Sequence, residues 1–301
     1  MFVMRIKSFI AGMNNFTGIF LFLISACFIS GCSNAEVETE YPETRILGHR
    51  GSGLTSEEFQ ENTFSSVINA FERLNGAEVD IQCSKDGTIW LFHDADLPGN
   101  KLLCVPGATD KEIEELANKM DNYTITRLEE IFEYMFHMEE IPIISLDVKG
   151  HFPNGCFDTD NAPNPYFDLM AESLSNLLSK YPIQNNVLVE TDYVYFLDII
   201  KNKEPQLDIY LLGYRDFRER IEKAINKGYQ GISYNFKDEH LTREEIELAR
   251  QNGLKVQLWT INTEEDMEVA LSWKPAFIQT GNVKLGEESL NKINKKKNNT
   301  H

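Results

Sequence analysis

The chain has 301 residues, with 47 acidic against 29 basic side chains and a formal net charge of −18. Nucleic acids and anionic lipid surfaces are bound through clustered Lys and Arg, so this balance excludes both as primary partners. The length suits one large α/β barrel or two small domains.

In chain order, residues 1–31 come first, with Arg5 and Lys7, no acid and an apolar core around 16–29. They read as an export signal. The signal ends Ile29-Ser30-Gly31-Cys32. Small residues before a cysteine resemble the bacterial lipoprotein processing site, which would make Cys32 the lipid attachment residue. An ordinary secretory signal or an uncleaved anchor helix is the plainer alternative. Cleavage before Cys32 removes two cations and no acid, leaving a net charge of −20 over 270 residues. Residues 32–44 are polar and acidic without apolar periodicity, as in a tether. The expected location is the cell envelope, outside the cytoplasm, either periplasmic or at the cell surface. The membrane is then met only through the N-terminal lipid.

From residue 45 a unit recurs: a short apolar run ends in polar residues and a helical pattern usually follows. The runs are Arg45–Gly48, Val79–Gln82, Ile143–Leu146, Val187–Val189, Ile209–Leu212, Ile232–Tyr234, Val256–Trp259 and Ala276–Ile278. Helical spacing covers Thr63–Leu74, Leu128–Phe136, Phe167–Leu178, Val194–Lys201, Phe217–Lys227, Thr242–Asn252 and Glu264–Leu271. Asn62 is a candidate cap for the first, Thr242 and Glu245 form a capping-box pair, and Gly228 and Gly253 close two helices. Strands alternating with helices mean a parallel sheet, and eight units in this length mean a (β/α)8 TIM barrel over residues 45–286. An open doubly wound sheet is the alternative, but no Gly-rich phosphate loop follows the first strand. Residues 287–301, with the run Lys292–Lys297, read as a basic polar tail.

The second unit carries an extra hairpin. The runs Glu78–Ser84 and Thr88–His93 flank Lys85-Asp86-Gly87, and an Asp-Gly pair there predicts a two-residue turn. That register sets Asp80 opposite His93, so Glu78, Asp80 and His93 share one face. Two carboxylates and an imidazole are costly to leave together unpaired, which points to a bound cation beside an acid or base. Cys83, at odd parity, packs behind Asp80. Residues 95–127 form a loop-and-helix cover over the barrel mouth. Cys104 and Cys156 fall in loops, and an exported chain permits a disulfide between them. Barrel active sites lie at the C-terminal ends of strands. There the sequence places His49, Arg50, Glu78, Asp80, Asp147, Glu190, Asn235, Trp259 and Thr260.

By these residues the chain resembles the glycerophosphodiester phosphodiesterase family. The resemblance is carried by His49-Arg50-Gly51, Glu61-Asn62-Thr63, Gly76 to Asp80, Lys85-Asp86-Gly87 and His93-Asp94. TRLEEIF at 126–132, SLDVKG at 145–150 and LWTIN at 258–262 continue it, in order, from about residue 45 to 282. The resemblance implies a TIM barrel that hydrolyses glycerophosphodiesters to glycerol 3-phosphate and an alcohol with one divalent cation. His49 and His93 then map to the catalytic pair, and Glu78, Asp80 and Asp147 to the metal ligands. Arg50 and Lys149 map to the cations that bind substrate phosphate, and Trp259 is either core or an apolar wall for the substrate. Two positions depart from the family. Asp147 stands where Glu is usual, shorter by on the order of 1.5 Å, and the last strand ends Gln279-Thr280-Gly281-Asn282 where Thr-Asp is usual.

The physical reading stands beside the resemblance. A phosphodiester anion resists nucleophiles, so its site must neutralise charge that builds in the transition state. A carboxylate-held cation with Arg50 and Lys149 meets that need, and two imidazoles can take and give the protons. Oxygen-only ligands favour Ca²⁺ or Mg²⁺ over zinc, with Mn²⁺ also accommodated. Two other functions fit the same residues: phospholipase D-like or phosphoinositide-type headgroup hydrolysis, and a lipoprotein that captures phosphorylated ligands without turnover.

Overall fold

The computed structural model describes residues 43–53, 56, 58–99, 103–121, 123–151 and 164–298. The expected signal, Cys32, most of the tether and Cys156 lie outside the described residues. No described helix is long and apolar enough to cross a membrane.

In chain order the elements are β1 (Arg45–Gly48), α1 (Phe64–Arg73), β2 (Gly76–Cys83), β3 (Ile89–Leu91), α2 (Asp110–Ala117), β4 (Thr126–Arg127), α3 (Leu128–Phe136) and β5 (Ile143–Val148). They continue with α4 (Asn164–Lys180), β6 (Val187–Thr191), α5 (Val194–Lys203), β7 (Asp208–Gly213), α6 (Phe217–Lys227) and β8 (Gly231–Asn235). The chain ends with α7 (Arg243–Gln251), β9 (Lys255–Trp259), α8 (Glu264–Ser272), β10 (Phe277–Thr280) and α9 (Val283–Asn298). Strands β1, β2 and β5 to β10 are parallel neighbours, and pairing of β1 with β10 closes the eight-stranded ring. The expected (β/α)8 barrel is the observed fold.

Alternation along each strand sorts the side chains. Ile46, Val79, Ile81, Cys83, Leu146 and Val189 are buried with the helices in the main core. Helix α1 shows how that shell is held: Thr63 caps it, and Val67, Ala70 and Phe71 are buried on one face. Each large apolar side chain buried this way contributes roughly 1.5–3 kcal/mol. Inside the ring the chemistry changes with height. Leu47, Ile143, Leu188, Tyr210 and Phe277 form a separate apolar floor. Above it Ser145, Glu190, Ser233, Gln257 and Gln279 are buried polar groups. The charged rim comes next.

Four local expectations change. The hairpin turn spans three residues, Lys85-Asp86-Gly87, and Ile81, Gln82 and Cys83 oppose Leu91, Trp90 and Ile89. Phe92 therefore pairs with Asp80, where the sequence reading had His93. Gly87 at φ 85° satisfies either turn, so the Asp-Gly pair alone does not choose between them. Asn62 is not the cap of α1, since Thr63 holds that position. Thr242 makes no side-chain cap bond to the backbone and bonds the Glu245 carboxylate instead. Finally, α9 continues through residues expected as tail: Glu287 pairs with Arg73 at 2.6 Å, Ser289 is buried and Leu290 packs on the core.

Strands β3 and β4 stand outside the ring, antiparallel to each other, with β3 on the upper end of β2. With α2 they enclose a small second core of Trp90, Phe92, Leu97, Val105, Ala108 and Ile113. This is the expected cover, with β4 as an additional strand. Cys104 within it is disulfide-bonded and Cys83 is free and buried.

Candidate active site

The chain leaves β1 through a tight turn. His49 N–H donates to Thr280 O at 2.8 Å, Arg50 has φ 53° and Gly51 φ 77°. A Cβ on Gly51 would come within 2.4 Å of Ser66 Oγ, so only glycine lets the turn sit against α1. The turn aims two backbone donors at β2: Arg50 N–H reaches Glu78 Oε2 at 2.9 Å and Gly51 N–H reaches Glu78 O at 3.0 Å. His49 Nε2 lies 3.7 Å from the same carboxylate.

Strands β2 and β5 run in register, with Asp80 beside Asp147. Glu78, Asp80 and Asp147 each offer an oxygen within 4.8 Å of the others. Lys149 Nζ bridges two of them, 2.6 Å from Asp147 Oδ2 and 3.0 Å from Asp80 Oδ1. Arg50 pairs through Nε with Asp80 at 3.2 Å and through its terminal nitrogen with Glu61 at 3.0 and 3.1 Å. Both cations are thus immobilised before any substrate arrives.

Burial shapes the ionisation. It pushes Glu78 well above the usual carboxylate range, with Asp80 and Asp147 adding repulsion. Asp147 is also raised by burial, against the pull of Lys149. Burial opposes charge on Asp80 too, but Lys149 and Arg50 outweigh it and hold this carboxyl below its usual range. Burial takes His49 down to about 3, so it is neutral near pH 7.

The cluster fits a hard divalent cation. Three carboxylates converge, two of them raised by burial and then by neighbouring carboxylates, and Glu78 Oε1 is buried without a hydrogen-bond partner. Glu78, Asp80 and Asp147 are the residues that would hold it. Such an ion polarises a phosphoryl oxygen and offsets developing charge.

His93 follows the end of β3 and leaves the ladder, so the changed register does not send it away. It lies close enough to act electrostatically on His49, Asp80 and Asp147. Its Nδ1–H donates to Asp94 Oδ1 at 2.8 Å, which leaves Nε2 as the ring nitrogen for chemistry. Trp259, at the end of β9, meets Tyr214 edge-on with ring centroids 5.7 Å apart.

Three contributors go beyond the sequence reading. Asn62 Nδ2 donates to Asp80 Oδ2 at 2.8 Å and its Oδ1 accepts from Asp80 N at 3.0 Å, so it orients a cage carboxylate. Glu61 holds Arg50. His151 lies edge-on to His93 with centroids 6.1 Å apart, its pKa lowered by burial and by Lys149. The ordered triplet Glu61-Asn62-Thr63 was a signal for the first two; nothing in the sequence singled out His151.

A carboxylate cage beside two fixed cations and His49, at the C-terminal ends of the strands of a (β/α)8 barrel, is a setting suited to an anionic ester. The chain belongs to the Glycerophosphoryl diester phosphodiesterase family, which it matches over residues 49–285. A glycerophosphodiester phosphodiesterase of Caldanaerobacter subterraneus subsp. tengcongensis is 25% identical over 236 residues, covering 75% of this chain and 89% of that one. Among solved structures, a glycerophosphodiester phosphodiesterase from Parabacteroides distasonis superposes with TM-score 0.70 at 17% identity, covering 85% and 99% of the two chains. An Oleispira antarctica phosphodiesterase in complex with its product sn-glycerol-3-phosphate gives TM-score 0.66 at 16% identity, covering 83% and 97%. These structures share the fold, and the family assigns the enzyme class: a phosphoric diester hydrolase acting on glycerophosphodiesters.

Proposed function

We propose that this enzyme hydrolyses small glycerophosphodiesters to glycerol 3-phosphate and an alcohol, with His49 and His93 handling the protons and Ca²⁺ or Mg²⁺ in the carboxylate cage. The observation that carries the reading is His49 Nε2 at 3.7 Å from Glu78, at the edge of the three-carboxylate cluster. Arg50 and Lys149 meet the non-bridging phosphate oxygens. One imidazole takes the proton from the attacking hydroxyl as its oxygen bonds phosphorus. The other protonates the departing alkoxide as the P–O bond breaks, so the alcohol leaves neutral. A neutral His49 is suited to accepting first. Half-buried Trp259, with the exposed ring of Tyr214, provides an apolar wall for the organic part of the ester.

The test is release of glycerol 3-phosphate from glycerophosphocholine. Activity lost on chelation and restored by Ca²⁺ or Mg²⁺ is the expected result, with His49→Ala and His93→Ala each slower by at least roughly 10²-fold and still folded. Turnover confined to lipid vesicles would move the substrate to lipid headgroups, and tight binding without turnover at any metal would remove the enzymatic reading. We also place the enzyme outside the cytoplasm on a lipid at Cys32; a Cys32→Ser chain should then leave the membrane fraction.

A further inference from the structure

The hairpin ladder stops at Leu91, short of His93. One backbone bond follows it, from Phe92 N to Asp80 O at 2.9 Å. His93 then sits on a connection with its ring 31% exposed, although an acid–base group needs its position held to about 0.5 Å. Beside a hydrogen bond between the His151 ring and the His93 backbone, the restraint comes from Gln82, which lies on the same face of β2 as Glu78 and Asp80 and is fully buried. Its Nε2 donates to Phe92 O at 3.0 Å and to Asp94 O at 2.8 Å. These are the carbonyls immediately before and after His93. A single amide group therefore uses both its protons to bracket that residue. It also fixes Asp94, whose carboxylate accepts from His93 Nδ1.

Only a primary amide at this reach does the task without charge. A hydroxyl has one proton to give, a carboxylate would repel both carbonyls, and a buried ammonium carries a desolvation cost. The orientation of the amide is set by the same pair of acceptors, since turning it would face Oε1 to two carbonyl oxygens. Gln82 Oε1 stays buried without a hydrogen-bond partner. Leaving an acceptor unmet is unfavourable, so the side chain is not there for stability alone.

We propose that Gln82 is a positioning residue for this reaction, acting through His93 by clamping the backbone on both sides of it. The inference rests on the reading of His93 as an acid–base group. The experiment is a double-mutant cycle on the full chain with glycerophosphocholine. Gln82→Met, equal in reach and without a donor, should lower kcat about 10- to 100-fold and leave KM within about threefold. In a His93→Ala background the same change should cost less than about threefold, because the group it serves is gone. Calorimetric affinity for Mg²⁺ should stay within about threefold of wild type. A Gln82→Met enzyme with wild-type kcat, or one whose full loss persists beside His93→Ala, would overturn the proposal. If His93→Ala alone retains wild-type turnover, it is the role of His93 that fails, and the two failures are told apart. Should Gln82→Met not fold, Gln82→Asn keeps the amide, draws it back by one methylene and carries the same comparison.

Discussion

Asp80 is the most heavily partnered side chain of the cage. Lys149 and Arg50 neutralise it, and Asn62 fixes its plane from both the backbone and the side-chain side. Asn62 itself sits at φ 55°, a conformation that asparagine tolerates better than most residues. Supporting partners of this kind typically account for 10- to 100-fold in metal affinity. Asn62→Ala is therefore expected to weaken Ca²⁺ or Mg²⁺ binding by roughly 10-fold or more in titration calorimetry, with less effect on the apo melting temperature. An unchanged affinity would make Asn62 a helix-entry residue only. Lys149 adds a second consequence: its ammonium already occupies one oxygen of Asp147 and one of Asp80, so an arriving ion shares these carboxylates with a fixed cation.

At the scale of elements, the hairpin is tied down by Asp110, the first residue of α2. Its carboxylate accepts from Ser84 Oγ and Thr88 Oγ1 at 2.6 Å each and from Trp90 Nε1 at 3.1 Å. A carboxylate in the first turn also suits the helix dipole. Asp110→Ala removes all three bonds at once, at a cost of about 2 kcal/mol for a partly exposed group. For a domain of this size that lowers Tm by roughly 4–8 °C. An unchanged Tm would show the hairpin is held by its apolar contacts instead. The same hairpin marks where the sequence stops being legible. Strands and helices of the barrel were readable because their apolar periods are local, and Leu128–Phe136 and Phe217–Lys227 keep their expected bounds. The turn was not, because Lys85-Asp86-Gly87 serves two loop lengths and the choice follows from contacts such as Ser84 to Asp110. His93 stays close to Asp80 despite the changed register for one reason: it lies beyond the last paired residue, so strand parity never applied to it. Gln82 and His151 were hidden because their roles depend on which chain segments the barrel brings together.

Across the whole molecule the barrel interior is graded, apolar at the floor, hydrogen-bonding in the middle and charged at the mouth. Glu190 stands in the middle layer. Its Oε1 accepts from Ser145 Oγ at 2.9 Å and Gln279 Nε2 at 2.7 Å, while Oε2 has no hydrogen-bond partner. Gln279 thus serves this buried acid from the last strand. Burial, and then Asp147, raise the Glu190 carboxyl to about 7 from an ordinary 4.5. The folded state therefore holds this proton more tightly than the unfolded chain. Its stabilising effect is complete below about pH 4.5 and is lost as pH climbs to about 7. Glu78 and Asp147 are raised as well and act with the same sign, while His49, held down at about 3 by burial, acts with the opposite sign up to its ordinary 6.5. In chelator, the melting temperature should therefore fall between pH 6.5 and pH 7.5, by roughly 5 °C for a loss of a few kcal/mol. Glu190→Gln keeps an acceptor for Ser145 and Gln279 but cannot ionise, so its slope over that range should be visibly shallower. Adding Ca²⁺ or Mg²⁺ should raise the melting temperature most at the alkaline end, where the cage is charged and a cation has most repulsion to relieve. A Glu190→Gln slope equal to wild type would mean that the mouth carboxylates alone set the pH dependence and that the middle layer is electrostatically silent.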